Sequence, residues 1–327
     1  MMNPKMLASD AAAALDITLQ AVHKKLKSKG LLYEKSQNRL FFFHETAKEF
    51  FGFKVRPTIF ATQVVKGGTG KTTLLGSLAV RLNLYGLKVL CIDLDQQANL
   101  TSYFGVNAEA KPVMIDILID KEKKIDQEGR PFSFLNYPVP VLPGLDIIPS
   151  RIENAILDNY LMVNSLPLDR VYRELFRKAL NNYDVVLIDC PPALGQSVAA
   201  ASMASDIILS PVNPEKFCID GLKVSFQELN QLEHKFSTSP DVKIIFNKFD
   251  TRTNLSHSIL QELLKDEIYG SCLFKSYIRL SQEFPNCSGK GISVFDGLRP
   301  TAASEDMDLW TKEIIDMIKI ADEVKDA

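Results

Sequence analysis

Cysteine is scarce in these 327 residues. There are five, at positions 91, 190, 218, 272 and 287, and no two form a C-x-x-C pair. That leaves no disulfide framework or cysteine metal motif, and the thiols read as reduced ones in a cytosolic protein. Only four histidines occur, in no His-rich tract. No apolar run approaches the roughly 20 residues of a membrane span. The opening Met1-Met2-Asn3-Pro4 has no apolar signal segment. One-sided charge is missing as well. The net charge of −2 provides no global field toward nucleic acid or anionic lipid. Neither an internal repeat nor a low-complexity tract is present.

What the chain does have is ordinary globular material, 46% hydrophobic and 24% charged. Its length suits one large domain or two unequal ones. Charge is spread unevenly. Residues 1–56 carry ten Lys/Arg against five Asp/Glu, a surplus of five, which leaves the remainder with seven acidic charges in excess. A basic amino-terminal part on an acidic body suggests a module facing nucleic acid; a solvated lysine-rich helix would share that charge.

The pattern within 1–56 is helix, turn, helix, hairpin, helix. Ser9-Asp10 is positioned to cap a first helix over Ala11-Ala12-Ala13-Ala14-Leu15. Asp16-Ile17-Thr18 breaks it. A second helix runs from about Thr18 to Lys29 and stops at Gly30. Leu19, Val22 and Leu26 form its apolar face, leaving Gln20, His23 and Lys24 off that stripe. Leu40-Phe41-Phe42-Phe43 after a polar stretch indicates a hairpin or wing, and 44–51 a closing helix. This resembles a winged helix-turn-helix of the MerR-like kind, which implies DNA reading, with Gln20, His23 and Lys24 as candidate contacts.

Residues 52–57 form the expected boundary between domains 1–56 and 57–327. Beyond it, near-continuous apolar runs (59–65, 88–93, 145–149, 184–189, 206–210, 242–246) alternate with helical stretches. That predicts an α/β fold, a buried and mostly parallel sheet flanked by helices.

Chemistry concentrates at the ends of these runs. Lys66-Gly67-Gly68-Thr69-Gly70-Lys71-Thr72-Thr73 follows the first strand and opens a helix. Glycines let backbone N–H groups close on phosphate oxygens, and the helix terminus adds partial positive charge. Lys71 would reach the β/γ-phosphates and the Thr72 hydroxyl would hold Mg²⁺. The strict P-loop pattern is not met, because Val65 stands where its first glycine belongs and Lys66 precedes the glycine pair. This deviant loop resembles that of the ParA/MinD superfamily. Asp93-Leu94-Asp95-Gln96-Gln97-Ala98-Asn99 is similar to that family's D-x-D-P-Q-x-N segment, with Gln96 in place of proline. Asp189-Cys190-Pro191-Pro192 ends a strand as the family's Walker B segment does. Tyr277-Ile278-Arg279-Leu280-Ser281 with Gly289-Lys290-Gly291-Ile292 is similar to the ParA tail. The resemblance spans about 58–325, and the amino-terminal module resembles that of the larger plasmid ParA proteins.

The resemblance implies a DNA-partition ATPase of the plasmid type, cytoplasmic and nucleoid-associated, that uses ATP and Mg²⁺. It implies a homodimer closed over ATP, with Lys66 reaching the partner's phosphates. Asp95 orients water, Asp93 supports the metal shell, and Asp189 acts on Mg²⁺ through water. Asn247 contacts adenine, although Asn247-Lys248-Phe249-Asp250 also spells the guanine-reading N-K-x-D; the loop type favours ATP. Pro211-Val212-Asn213-Pro214 would line the base pocket. Arg279 is the candidate for non-specific DNA contact, or else a salt-bridged surface arginine. A ParB-type centromere-binding protein would stimulate hydrolysis, and the winged helix would read an operator. A membrane-bound MinD-like protein should end in a basic amphipathic helix, whereas this tail is acid-rich and its stripe (Leu309, Ile314, Met317, Ile318) is expected to pack on the body. An iron protein lacks its cysteine motifs here, and an arsenite-pump ATPase would need a second P-loop. An ATP-switched transcriptional regulator stays open.

Overall fold

The computed structural model describes residues 2–64, 66–236 and 240–320, and of Lys216 and Cys218 the backbone alone. Three short strands, β1 (Met6–Leu7), β2 (Glu34–Ser36) and β3 (Arg39–Phe42), form a small antiparallel sheet in the order β1-β3-β2. Eight more follow: β4 (Thr58–Thr62), β5 (Val89–Asp93), β6 (Val139–Leu142), β7 (Leu145–Ile148), β8 (Val185–Asp189), β9 (Ile207–Val212), β10 (Asp241–Phe249) and β11 (Leu273–Arg279). They build one sheet in the order β11-β10-β9-β4-β8-β5-β7-β6. Every described pairing in it is parallel except that of β6 with β7.

Side chains of the central strands alternate between two faces. Phe60, Val89, Cys91, Val185, Leu187 and Ile207 pack to one side. Ile59, Ala61, Leu90, Ile92, Val186, Ile188 and Ile208 pack to the other. Both faces are covered, so the strands are apolar throughout, as a buried parallel sheet requires. The two strands absent from the sequence reading are the sheet's edges, β6 and β11. Their burial is interrupted and their sequences are less uniformly apolar.

The amino-terminal segment folds as two helices around a turn, α1 (Ala8–Ala14) and α2 (Leu19–Ser28), then the β2–β3 hairpin and α3 (His44–Phe51). The hairpin turns at Gln37 and Asn38, both with positive φ. Thr18 caps α2 by accepting from Ala21 N at 3.2 Å, and Gly52 closes α3 in the left-handed region. Two details differ from expectation. Ser9 and Asp10 lie inside α1, whose start has no side-chain cap. Leu19 is exposed, because α2 turns only Val22 and Leu26 inward.

This segment lies on the sheet face that also carries α4 (Lys71–Leu84) and the last helix, Ala302–Ile318. Met6, Leu26, Phe42 and Phe50 share one apolar cluster with Leu75, Leu78, Met307 and Trp310. Gly86 marks how close the approach is. Its φ is +86°, and a Cβ there would lie 2.4 Å from the Lys48 backbone. Residues 54–56 are zipped to the end of the last helix, with Arg56 N donating to Ile318 O at 2.7 Å and Ile320 N to Lys54 O at 2.9 Å.

One buried cation joins these parts. Arg81 of α4 is fully buried. Its guanidinium donates to Asp308 of the last helix at 2.6 and 2.7 Å and to Asp10 of α1 at 3.2 Å. The Tyr85 hydroxyl donates to the same Asp308 oxygen at 2.6 Å, and Lys312 pairs with Asp308. Burial opposes ionisation of Asp308, but Arg81 and Lys312 outweigh it and hold the carboxyl below its ordinary range. The last helix buries Met307, Trp310, Ile314 and Ile318 while Leu309 is exposed, so the buried stripe is shifted from the expected one. The acid-rich tail end, 321–327, lies outside the described residues.

Removing one partner of a buried pair leaves an uncompensated charge. Asp308→Ala should therefore destabilise the chain by about 3–5 kcal/mol in equilibrium urea unfolding. An unchanged midpoint would mean that Arg81 is solvated.

Candidate nucleotide site

The site sits at the carboxyl ends of the central strands, where β4 runs into the glycine-rich loop and α4. Gly68 and Gly70 take φ of +76° and +90°. These values carry little penalty only for glycine. A Cβ at Gly67 or Gly68 would meet nothing within 4 Å, so the loop faces open space. A cleft of about 420 Å³ opens there, lined by residues 67–73 together with Asp95, Asn99, Tyr103, Pro192 and Ser288. The loop, the first turn of a 14-residue helix and one buried lysine thus converge on a cavity suited to a phosphate chain.

Lys71 is buried, with Nζ 3.3 Å from Lys66 O and 3.5 Å from Val64 O. Burial lowers its pKa, while Asp189 and Asp95 oppose that shift. Asp189 at the end of β8 is fully buried. It accepts from Thr72 Oγ1 at 2.6 Å and from Thr62 Oγ1 at 3.1 Å. Burial pushes its pKa up to about 6, even with both hydroxyls favouring the charged form. A cleft-lining hydroxyl backed by a buried carboxylate makes a donor set that fits a hydrated Mg²⁺, which keeps several waters.

Asp95 lines the cleft and accepts from Gln97 N at 3.0 Å. Asp93 is bound to the loop that follows it. Its oxygens accept from Asp95 N (3.1 Å), Thr101 N (2.9 Å) and Thr101 Oγ1 (2.7 Å). The first of these bonds helps to hold Asp95 in place. Burial, then the neighbouring Asp189, push its pKa up to about 7.

Asn247 is tied to the loop itself. Its Nδ2 donates to Thr69 O at 2.7 Å, and its Oδ1 accepts from Lys248 N at 2.9 Å. One N–H of the amide is thereby given to the loop carbonyl. Asp250, the last letter of N-K-x-D, pairs with Arg252. Arg279 is salt-bridged, as the second of its two readings has it. Its guanidinium is bound to Asp306 at 2.6–2.9 Å with Glu305 beside it.

Lys66 immediately precedes the cleft-lining Gly67 and pairs with Glu215 of its own chain, whose pKa it lowers. Gln20 and Lys24 are exposed on α2, and His23 is half-buried. The sequence reading passed over Thr62, which orients Asp189 and receives Cys190 N at 3.2 Å. A hydroxyl in an otherwise apolar strand end was its only signal.

The sequence comparisons agree with this geometry. A family model described as an AAA domain matches residues 58–244. The sporulation initiation inhibitor protein Soj of Bacillus subtilis is 31% identical over 71% of this chain and 88% of its own length. The chain belongs to the ParA family of partition ATPases. Among solved structures, an ATP complex of a Cyanothece McdA variant superposes with a TM-score of 0.68 at 19% identity, covering 83% of this chain and all of that one. A putative plasmid partition protein of Borrelia burgdorferi bound to AMPPNP gives 0.61 at 21% identity, over 79% and 99%. These two show the ParA-like fold. Residues 1–57 lie outside the family model. No described helix is long and apolar enough to cross a membrane.

Asp93 and Asp189 bind protons in the folded chain that the unfolded chain releases at lower pH. Their contribution to stability is full below about pH 4 and lost as pH rises to about 7. The urea midpoint of the nucleotide-free chain should fall across this interval, and Asp93→Asn should flatten the fall. A midpoint that climbs instead would contradict the assignment.

Proposed function

We propose that this chain is an ATP-dependent DNA-partition ATPase that hydrolyses ATP to ADP and phosphate with Mg²⁺. The observation that carries the reading is the loop with two lysines. Lys71 is buried within the phosphate cradle, and Lys66 directly precedes the glycine pair and pairs with Glu215. Bound Mg²⁺ would neutralise phosphate charge as the γ-phosphoryl group departs. The chain's own residues do the rest. The loop N–H groups and Lys71 bind the phosphates. Thr72 and Asp189, held by Thr62, present the metal-side oxygens. Asp95, fixed through Asp93, orients the attacking water at the cleft wall.

Lys66 would leave Glu215 and cross to the phosphates bound by a second copy, adding positive charge where the transition state gains negative charge. ATP then joins a homodimer, and hydrolysis dissolves it. The dimer binds DNA without sequence preference, and a ParB-type centromere-binding protein accelerates turnover. Residues 1–56 act as an operator-reading module through Gln20, His23 and Lys24. The module's burial against α4 supports a second reading, an ATP-switched regulator without a partition role.

Binding to random-sequence DNA should appear only with ATP–Mg²⁺ and weaken steeply with salt, because neutralised phosphates release counterions. Binding that is indifferent to nucleotide, or confined to one operator, would favour the regulator. Lys66→Ala should retain nucleotide yet lose ATP-dependent dimerisation in sedimentation; normal dimers would sink the cross-subunit role. Gln20→Ala with Lys24→Ala should weaken operator binding and spare ATPase turnover. Point variants are the right tool here, since deleting 1–56 would strip a shared core.

A further inference from the structure

A phosphate loop must aim its N–H groups inward, so its carbonyls point outward and need donors of their own. Here three side chains supply them. Asn247 Nδ2 donates to Thr69 O at 2.7 Å, Lys248 Nζ to Gly68 O at 2.7 Å, and Asn213 Nδ2 to Gly68 O at 3.2 Å. All three come from the adjacent ends of β9 and β10, which pair Val212 with Phe246.

The backbone is shaped for this contact. Between Phe246 and Phe249 the β10–β11 register slips, with three steps on β10 matching two on β11. Lys248 within that bulge adopts φ of +56°, an uncommon value for a lysine. A bulge beside a functional site re-aims side chains, and here it carries Asn247 and Lys248 to the loop on consecutive residues. Lys248 N in turn fixes the Asn247 amide through Oδ1 at 2.9 Å. The fit is tight, since a Cβ on Gly70 would lie 2.5 Å from Asn247 Nδ2. Any other residue at Gly70 would be strained by its φ of +90° and would have to displace this amide.

We propose that Asn247, Lys248 and Asn213 are positioning residues that clamp the outer face of the phosphate loop, so that the Asn-Lys pair of Asn-Lys-Phe-Asp in this chain sets phosphate affinity. The clamp holds the carbonyls of Gly68 and Thr69, which leaves the loop's N–H groups poised for phosphate before any nucleotide arrives. The inference rests on the nucleotide site alone and is independent of the partition role.

A ligand without a base separates clamp from base contact. Calorimetric titrations of the full chain with ADP and inorganic tripolyphosphate, each with Mg²⁺, would be compared for wild type, Asn247→Ala, Lys248→Ala and Lys248→Arg. A clamp predicts that Asn247→Ala weakens tripolyphosphate binding, where there is no base to lose, by about tenfold for one lost hydrogen bond, and ADP binding by at least as much. Lys248→Ala should do likewise and Lys248→Arg should restore binding. Weaker ADP binding with unchanged tripolyphosphate binding would overturn the proposal and return Asn247 to the base. Unchanged affinity for every ligand would overturn it too. Should Asn247→Ala fail to fold, the exposed Lys248 variants decide by the same comparison.

Discussion

The buried carboxylate of Asp189 is the constraint around which the site is organised. It ends β8 with no access to water and is satisfied by Thr62 from the neighbouring β4 and by Thr72 from the first turn of α4. Those two hydroxyls bracket the phosphate loop, one before it and one after. A single carboxylate thus fixes where the loop leaves the sheet and where it re-enters a helix. Burial raises the cost of the charge, and each hydrogen bond to it is correspondingly strong. That is why a strand, a loop and a helix can be held in register by three side chains.

A second organising charge lies at the far end of the same helix. Arg81 binds Asp308 and Asp10, so α4 carries the phosphate loop at one end and contacts both the amino-terminal module and the last helix at the other. Composition treats residues 1–56 as a basic appendage, whereas packing makes them part of the wall behind α4. The aromatic set Phe42, Phe50, Phe51, Phe53 and Tyr85 continues that wall. The consequence is mechanical, since the module and the nucleotide loop share one rigid element.

Several site residues are bound into the scaffold. Asp93, Asn247 and Arg279 each carry the polar group their sequence neighbourhood suggested. In each case the group is bonded to protein partners: a loop amide and hydroxyl, a loop carbonyl, a helix carboxylate. Residue type at a strand end announces that chemistry is near, but it does not say which way the side chain turns. Direction depends on competing partners tens or hundreds of positions away, such as Thr69 for Asn247 and Asp306 for Arg279.

Local pattern was enough to reveal the fold class, the six inner strands, the phosphate loop with its two lysines, and Asp95 and Asp189 at their strand ends. Apolar runs and short spaced motifs keep their meaning without a distant partner. The hairpin and three helices of the amino-terminal segment were legible for the same reason. The edge strands, the union of residues 1–56 with the body, the Arg81 junction, the pairing of Lys66 with Glu215 and the clamp on the loop carbonyls emerged only once the chain was folded. Each depends on contacts between residues far apart in the chain, and a pattern that repeats every two or four residues does not encode them.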